Sequence, residues 1–375
     1  MALKQHNIAL AVFMALLFLV LWRDSVVQTA QPLLDSAQPY LERARFRSSA
    51  KNSVQNSTLG FQKIFYLSLP ERQDRRQPLL AAARASDINI TLFDAVRGVD
   101  VPVDERPPPY LDETNSEHSS GKLGCLMSHM RAMKTMIKEN IATALIVESD
   151  VDWDVRIKDS MPLLAEGVQQ ISNLPALAPP RHARDVSSFK APSSPYGDNW
   201  DMLWLGHCGA YPGKGSGRIY TYHDPTVPRR EKEFAFGGQP TGEQHPFNET
   251  RLVYENAEAV CSYGVAVSLK GAIKIVDWLS RADSPVDIEY IKACTSNPNI
   301  SCVGVYPSLF GSWASASNIE PQEGDSTDLQ LEEHVVGPHT LQIPKGFSLG
   351  VRYSARKNTP LVMSGLGQET WIEEG

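Results

Sequence analysis

The stretch ALIVESDVDWD, residues 144–154, places a buried strand directly before a run of acids. Ala144 to Val147 is short, apolar and partly β-branched, which suits a strand covered on both faces. Glu148, Asp150, Asp152 and Asp154 follow at every second position. Alternate side chains of a strand share a face, so Glu148 and Asp150 are expected to point the same way. Asp152 joins them if the extended backbone continues, and Ser149 faces the other way. Like charges this close repel. A divalent cation relieves the repulsion, and carboxylate oxygens suit hard ions such as Mg²⁺ or Mn²⁺. Ligands of open α/β sheets bind beyond the carboxyl ends of strands. A solvated acidic turn is the plainer reading of the same spacing.

Outward from this stretch, strands and helices alternate, which implies a single α/β domain with a mostly parallel central sheet. FQKIFYLSL (61–69) reads as a first strand, ERQDRRQPLLAAARAS as a helix, and INITLFDAV (88–96) as a second strand. Residues 98–120 are Pro-rich, acidic and Ser-rich, hence a loop. Apolar residues at 123, 126, 127, 130, 133, 136 and 137 give a helical period. A helix near 159–172, a strand at WDMLWLG (200–206), a strand and helix over 260–280, a short helix or loop at PVDIEYIKAC and a last strand at CVGVYPSLF complete about six strands. Residues 209–250, rich in Gly, Pro, His and Tyr, read as substrate-side loops. The folded domain is expected over 60–315, with an acidic and polar C-terminal extension over 316–375.

The chain has 375 residues and a formal net charge of −7. It has no basic surplus to neutralise phosphates, which argues against a nucleic-acid partner. Ile8 to Trp22 is a charge-free apolar run. It is short for a membrane span, and reads as an uncleaved signal anchor over 1–23, with a cleaved signal peptide as the alternative. Residues 24–59 read as a stem. The expected placement is single-pass, type II, in a Golgi or endoplasmic reticulum membrane with the folded part in the lumen. Four Asn-x-Ser/Thr sites, Asn56, Asn89, Asn248 and Asn299, fit that placement. The five cysteines leave at least one unpaired, and Cys294 with Cys302 is the best disulfide candidate.

Several blocks together resemble the glycosyltransferase family 25 enzymes, of the lipooligosaccharide-biosynthesis and collagen-galactosyltransferase type, and their fungal membrane-anchored members above all. The blocks are IFYLSLPERQDRR, GKLGCLMSHMRAMKTMIKEN, ALIVESDVDWD, WDMLWLG, SYGVAVSLKGAIKIV and PVDIEY followed by PSLF, in that order over residues 61–313. The resemblance implies a GT-A-like fold, a nucleotide-sugar donor such as a UDP-sugar, Mn²⁺ or Mg²⁺, and inverting hexosyl transfer to a glycan or glycoprotein hydroxyl. It implies Glu148 and Asp150 as metal ligands, with Glu148 also near the donor. Ser149 departs from the pattern, standing where the family has a further acid.

Other residues are candidates on their chemistry. Arg72, Arg75 and Arg76 follow the first strand, and Arg75 is the choice for a phosphate contact; a solvated helix start is the alternative. Ser128 and His129 lie on the amphipathic helix, as donor contacts or as hydrogen-bonded core residues. Asp287 is the candidate base for the acceptor hydroxyl, or else a helix cap, with Glu289 in reserve. Asp152 is a neighbouring acid or acceptor contact, and His207 an acceptor contact. Trp153 reads as core or as a sugar platform. A metal-dependent phosphohydrolase or nucleotidyltransferase would use the same acids, but no extra histidines accompany them. A catalytically silent relative that binds sugar or acts as a scaffold is the other rival, supported by Ser149.

Overall fold

The computed structural model describes residues 53–111, 119–173, 193–209, 212, 217–229, 249–255, 258–313, 330–366 and 370–374. The apolar run, most of the stem and Asn248 lie outside them. Among the described residues no helix is long and apolar enough to cross a membrane.

The strands that build the main sheet are β1 (Lys63–Ser68), β2 (Thr91–Asp94), β3 (Thr143–Val147), β5 (Met202–Gly206), β6 (Ile219–His223), β7 (Thr250–Glu255), β8 (Gly264–Ser268) and β9 (Cys302–Tyr306). Their order is β2-β1-β3-β8-β5-β9-β7-β6. β8 and β7 run against the other strands of this row. Three short strands join from the side: β10 (Phe310–Trp313) pairs with β4 (Val151–Trp153), β13 (Ser348–Leu349) and the end of β5. The sheet therefore has eleven strands, where the sequence suggested about six. The additional strands are short or lie in loop-like composition, so period-2 patterning gave little sign of them.

Helices cover both faces. α2 (Ser120–Glu139), α4 (Leu269–Leu279) and α5 (Val286–Ser296) pack on one; α1 (Gln73–Ala85) and α3 (Ile157–Asn173) pack on the other. β3 shows why the strands are apolar throughout. Ala144 and Ile146 join the first core, while Leu145 and Val147 join the second. A strand between two helical layers has no solvent face, so alternation disappears from its sequence. α2 ends at Asn140, whose left-handed φ of 53° turns the chain into β3.

The C-terminal extension is packed over much of its described part. β11 (Leu331–Val336) and β12 (His339–Pro344) form a hairpin, and β13 joins the main sheet. α6 (Ala355–Met363) packs against α1 and carries fully buried side chains, including Arg356. Two disulfides form: the expected Cys294–Cys302 and also Cys208–Cys261. Cys125 remains the one free thiol.

Candidate active site

A cavity of about 540 Å³ opens at the carboxyl ends of β1, β2 and β3, the place where open α/β sheets bind ligands. Its size suits a small-molecule ligand. Leu67 to Leu69 at the end of β1, Ala95 to Val99 after β2, and Glu148 to Asp150 after β3 supply three walls. The N-terminal half of α2 supplies the fourth, through Ser120, Gly121, Gly124, Cys125, Ser128 and His129. Gly124 is required by close approach: a Cβ there would stand 2.5 Å from the Val96 carbonyl. Ser128 Oγ accepts from Val96 N at 2.9 Å and donates to the Gly124 carbonyl at 2.6 Å, tying the loop after β2 to the helix. The start of α2 therefore sits at the cavity, where unsatisfied backbone N–H groups and the helix dipole favour an anion.

The acids do not lie on one extended strand. β3 ends at Val147, and Val151 N donates to the Glu148 carbonyl at 3.1 Å, closing a tight turn over 148–151. Three expectations from alternation change with it. Glu148 and Asp150 still share the cavity, through the turn and not through a strand face. Ser149 also lines the cavity, and its Oγ accepts from Arg75 Nη1 at 2.7 Å; it does not face away. Asp152 leaves the group entirely. It is fully buried beneath the C-terminal extension, where its carboxylate accepts from the Ser348 and Ser354 hydroxyls and from Trp153 N at 2.9 Å. It does not line the cavity. Asp154 is likewise structural, in a two-point ion pair with Arg156.

The turn is clamped at its carbonyls. Glu148 N donates to the Tyr263 carbonyl at 3.1 Å, and Trp313 N donates to the Asp150 carbonyl at 2.6 Å. The Arg356 guanidinium donates to the Ser149 carbonyl at 2.9 Å and to the Val151 carbonyl at 2.8 and 3.1 Å. No sequence pattern pointed to Arg356, which lies some two hundred residues from its partners.

Charge within the cavity is uneven. Burial raises the Glu148 carboxyl, but His129 Nε2 at 3.3 Å, the Ser262 hydroxyl and the Arg75 charge together hold it below the ordinary range. Burial also raises Asp150; Arg75 opposes this, Glu148 adds to it, and the net direction is upward. Asp150 Oδ1 is buried with no hydrogen-bond partner among the described residues. An orphaned carboxylate oxygen in a cavity wall is costly unless a ligand or cation satisfies it. Arg72 is spent on a two-point pair with Asp74, at 2.6 and 2.8 Å. Arg76 is held by the Ser68 carbonyl and Asp94, each at 2.6 Å, and does not line the cavity. Arg75 is thus the guanidinium best aimed at the acids.

The remaining candidates separate clearly. His129 is fully buried between Glu148 and Tyr290, whose hydroxyl lies 3.0 Å from Nδ1. Asp287 sits in the first turn of α5, half-buried, and is absent from the cavity walls. Its carboxylate accepts from Ile288 N at 2.9 Å and from Cys261 N at 2.8 Å, next to the Ser262 that holds Glu148. Glu289 is structural, accepting from Trp278 Nε1 at 2.9 Å and pairing with Lys292. His207 is buried against the Val305 carbonyl at 2.7 Å; burial pushes its pKa down to about 4, which keeps it neutral. Trp153 is core, its indole N–H donating to Ser86.

The segment that builds this cavity has known counterparts. Residues 61–178 match the model of Glycosyltransferase family 25 (LPS biosynthesis protein). Procollagen galactosyltransferase 2 of Homo sapiens is 28% identical over 120 residues, covering 30% of this chain and 19% of that protein. Inactive glycosyltransferase 25 family member 3 of Homo sapiens is 29% identical over 139 residues, covering 33% and 23%. Procollagen galactosyltransferase 1 of Danio rerio is 26% identical over 123 residues, covering 31% and 20%. The chain thus spans about a fifth of the length of these curated relatives. Every residue lining the cavity falls inside the matched segment, so the similarity to family 25 coincides with the candidate site.

Proposed function

We propose that this chain is a family 25 glycosyltransferase, moving a hexosyl group from a nucleotide-sugar donor, a UDP-sugar, to a hydroxyl of a glycan or glycoprotein. The observation that carries the reading is Asp150 Oδ1, a buried carboxylate oxygen without a partner among the described residues, in a cavity that also presents Glu148, Arg75 and a helix N-terminus. The start of α2 and Arg75 suit the donor diphosphate. Mn²⁺ or Mg²⁺ fits the donor set at Glu148 and Asp150, both hard oxygen ligands. Such an ion, when bound, supplies Lewis-acid stabilisation of the leaving diphosphate. Asp287 is assigned as the base that takes the acceptor proton in an inverting transfer. Its half-buried carboxylate lies next to the Ser262 loop, which borders Glu148.

Two disulfides fit an oxidising compartment. Asn56, Asn89 and Asn299 are exposed, as glycosylation requires. We place the folded part in the lumen of the endoplasmic reticulum or Golgi, held by residues 1–23 as a type II anchor. In a eukaryotic host the protein should resist carbonate extraction and change mobility on glycosidase treatment; carbonate-soluble protein with a processed N-terminus overturns the anchor.

A second reading, a catalytically silent sugar-binding relative, is favoured by Ser149 and by the relative described as inactive. A panel of nucleotide sugars with Mn²⁺, read by nucleotide release with and without acceptor, separates the two. Release accelerated by acceptor supports transfer. Donor binding without release supports the silent reading. Asp287→Asn should spare donor affinity and lower transfer by about 10²–10⁴; loss of both together would place Asp287 in the support of Glu148 instead.

A further inference from the structure

Cys125 and His129 stand four residues apart on α2, so their side chains share one helix face. Glu148 meets them from the end of β3. The Cys125 thiol, a His129 ring nitrogen and a Glu148 carboxylate oxygen all lie within 4.8 Å of one another, and all three residues line the cavity. This donor set differs in kind from the pair of hard oxygens at Glu148 and Asp150. Sulfur and imidazole ligands select borderline-soft cations, zinc above all, over Mg²⁺ or Mn²⁺.

We propose that Cys125, His129 and Glu148 form a binding site for a zinc-class divalent cation. Two ligand atoms about 2.05 Å from a zinc ion at the tetrahedral angle stand about 3.3 Å apart. His129 Nε2 and Glu148 Oε1 are separated by 3.3 Å. A cation between them replaces the hydrogen bond without moving either group far. The other ring nitrogen already has the partner that such a histidine needs: the Tyr290 hydroxyl, 3.0 Å from Nδ1. A hydroxyl can donate or accept, so it serves either tautomer as Nε2 passes from the carboxylate to the metal. Tyr290 is fully buried, which fixes the ring. Three protein ligands leave a fourth position for water or a ligand atom, the arrangement of an open zinc site. On binding, the Cys125 S–H bond breaks, its electron pair goes to the metal, and one proton passes to solvent.

The site uses Glu148, which the proposed donor site also uses. Zinc-class ions and a donor that needs Glu148 therefore exclude one another. The binding claim itself does not depend on glycosyl transfer.

The test is titration of the intact protein with Co²⁺ as a spectroscopic stand-in for zinc. The expected result is one bound ion per chain with a near-ultraviolet thiolate-to-cobalt band, displaced by Zn²⁺. Cys125→Ser should remove that band, and Asp150→Asn should keep it. Cobalt binding without a thiolate band, or a band that survives Cys125→Ser and vanishes in Asp150→Asn, overturns the site. A variant-free measurement stands beside it. Cys125 is the one free thiol, so Zn²⁺ should slow its alkylation by iodoacetamide at least tenfold, with chelator restoring the rate. Alkylation indifferent to Zn²⁺ overturns the proposal. Failure here leaves donor-dependent nucleotide release untouched, so the two readings fall separately.

Discussion

Asp150 and Asp152 flank one valine and live in opposite surroundings. Asp152 looks into the C-terminal extension and is satisfied by two hydroxyls and backbone N–H. Asp150 looks into the cavity with one oxygen unpartnered among the described residues. Burial raises both carboxyls; at Asp152 two serine hydroxyls and the Trp153 N–H oppose the rise, whereas at Asp150 the opposition comes first from the Arg75 charge. Identical side chains, one within the turn and one just past it, thus divide into an acid kept open for a ligand and a structural acid.

The strongest way to break this comparison is Asp150→Asn. Donor affinity or turnover should fall about a hundredfold or more, because the charge that a cation and diphosphate require is gone. The same change should stabilise the fold. A carboxyl with a raised folded-state pKa favours folding when protonated, and that contribution is lost as pH rises through the folded pKa. The neutral amide mimics the favoured form, so the melting temperature near pH 7 should increase, not decrease. In the wild type, donor binding should weaken on acidification through the raised Asp150 pKa, while Glu148, held low, is still ionised. A donor affinity unchanged in Asp150→Asn would end the assignment.

Asp152→Asn should do the reverse. The amide cannot accept everything the carboxylate does, so stability should drop by about 2–3 kcal/mol. Molecules that remain folded should bind donor within a few-fold of wild type. Thermal unfolding and donor titration read this directly; loss of donor affinity at full stability would return Asp152 to the active site.

Arg356→Lys sharpens the comparison further. Lysine keeps the charge but not the fork that spans the Ser149 and Val151 carbonyls. Stability should fall by about 1–2 kcal/mol, and donor KM should rise several-fold while the helix content by circular dichroism is unchanged.

Ser149→Asp has the smallest expected effect. The new carboxylate would take the Arg75 guanidinium from its hydroxyl contact and add negative charge beside Asp150. Donor affinity should fall by less than about tenfold. A gain of activity from an inert wild type would favour the silent reading.

The sequence made some of these features legible and hid others for definite reasons. The β3 strand and the acids at its end were readable because four apolar residues, Ala144 to Val147, must be buried together. Ser128 and His129 were readable on the amphipathic helix, whereas the grouping of Cys125 with His129 and Glu148 was not, because Glu148 joins it only through the fold. Ser149 and Asp152 were misplaced because a four-residue turn replaced the assumed extension, and alternation has no meaning across a turn. Cys294–Cys302 spans 8 residues and was legible, whereas Cys208–Cys261 spans 53 and was not. Arg356 looked like an unremarkable basic residue in a polar tail; its role exists only through contacts that no local pattern encodes.

The Arg356 clamp also sets a schedule. The chain is made from its N-terminus, and the strands, α2 and the acid turn emerge well before residue 356. Until that residue leaves the ribosome, the carbonyls of Ser149 and Val151 lack their guanidinium, and Asp152 lacks Ser348 and Ser354. Any nascent or truncated fragment stopping short of α6 carries every acid of the cavity yet not the shape that separates them. Competence is thereby deferred until α6, the last helix among the described residues, has emerged and docked onto α1.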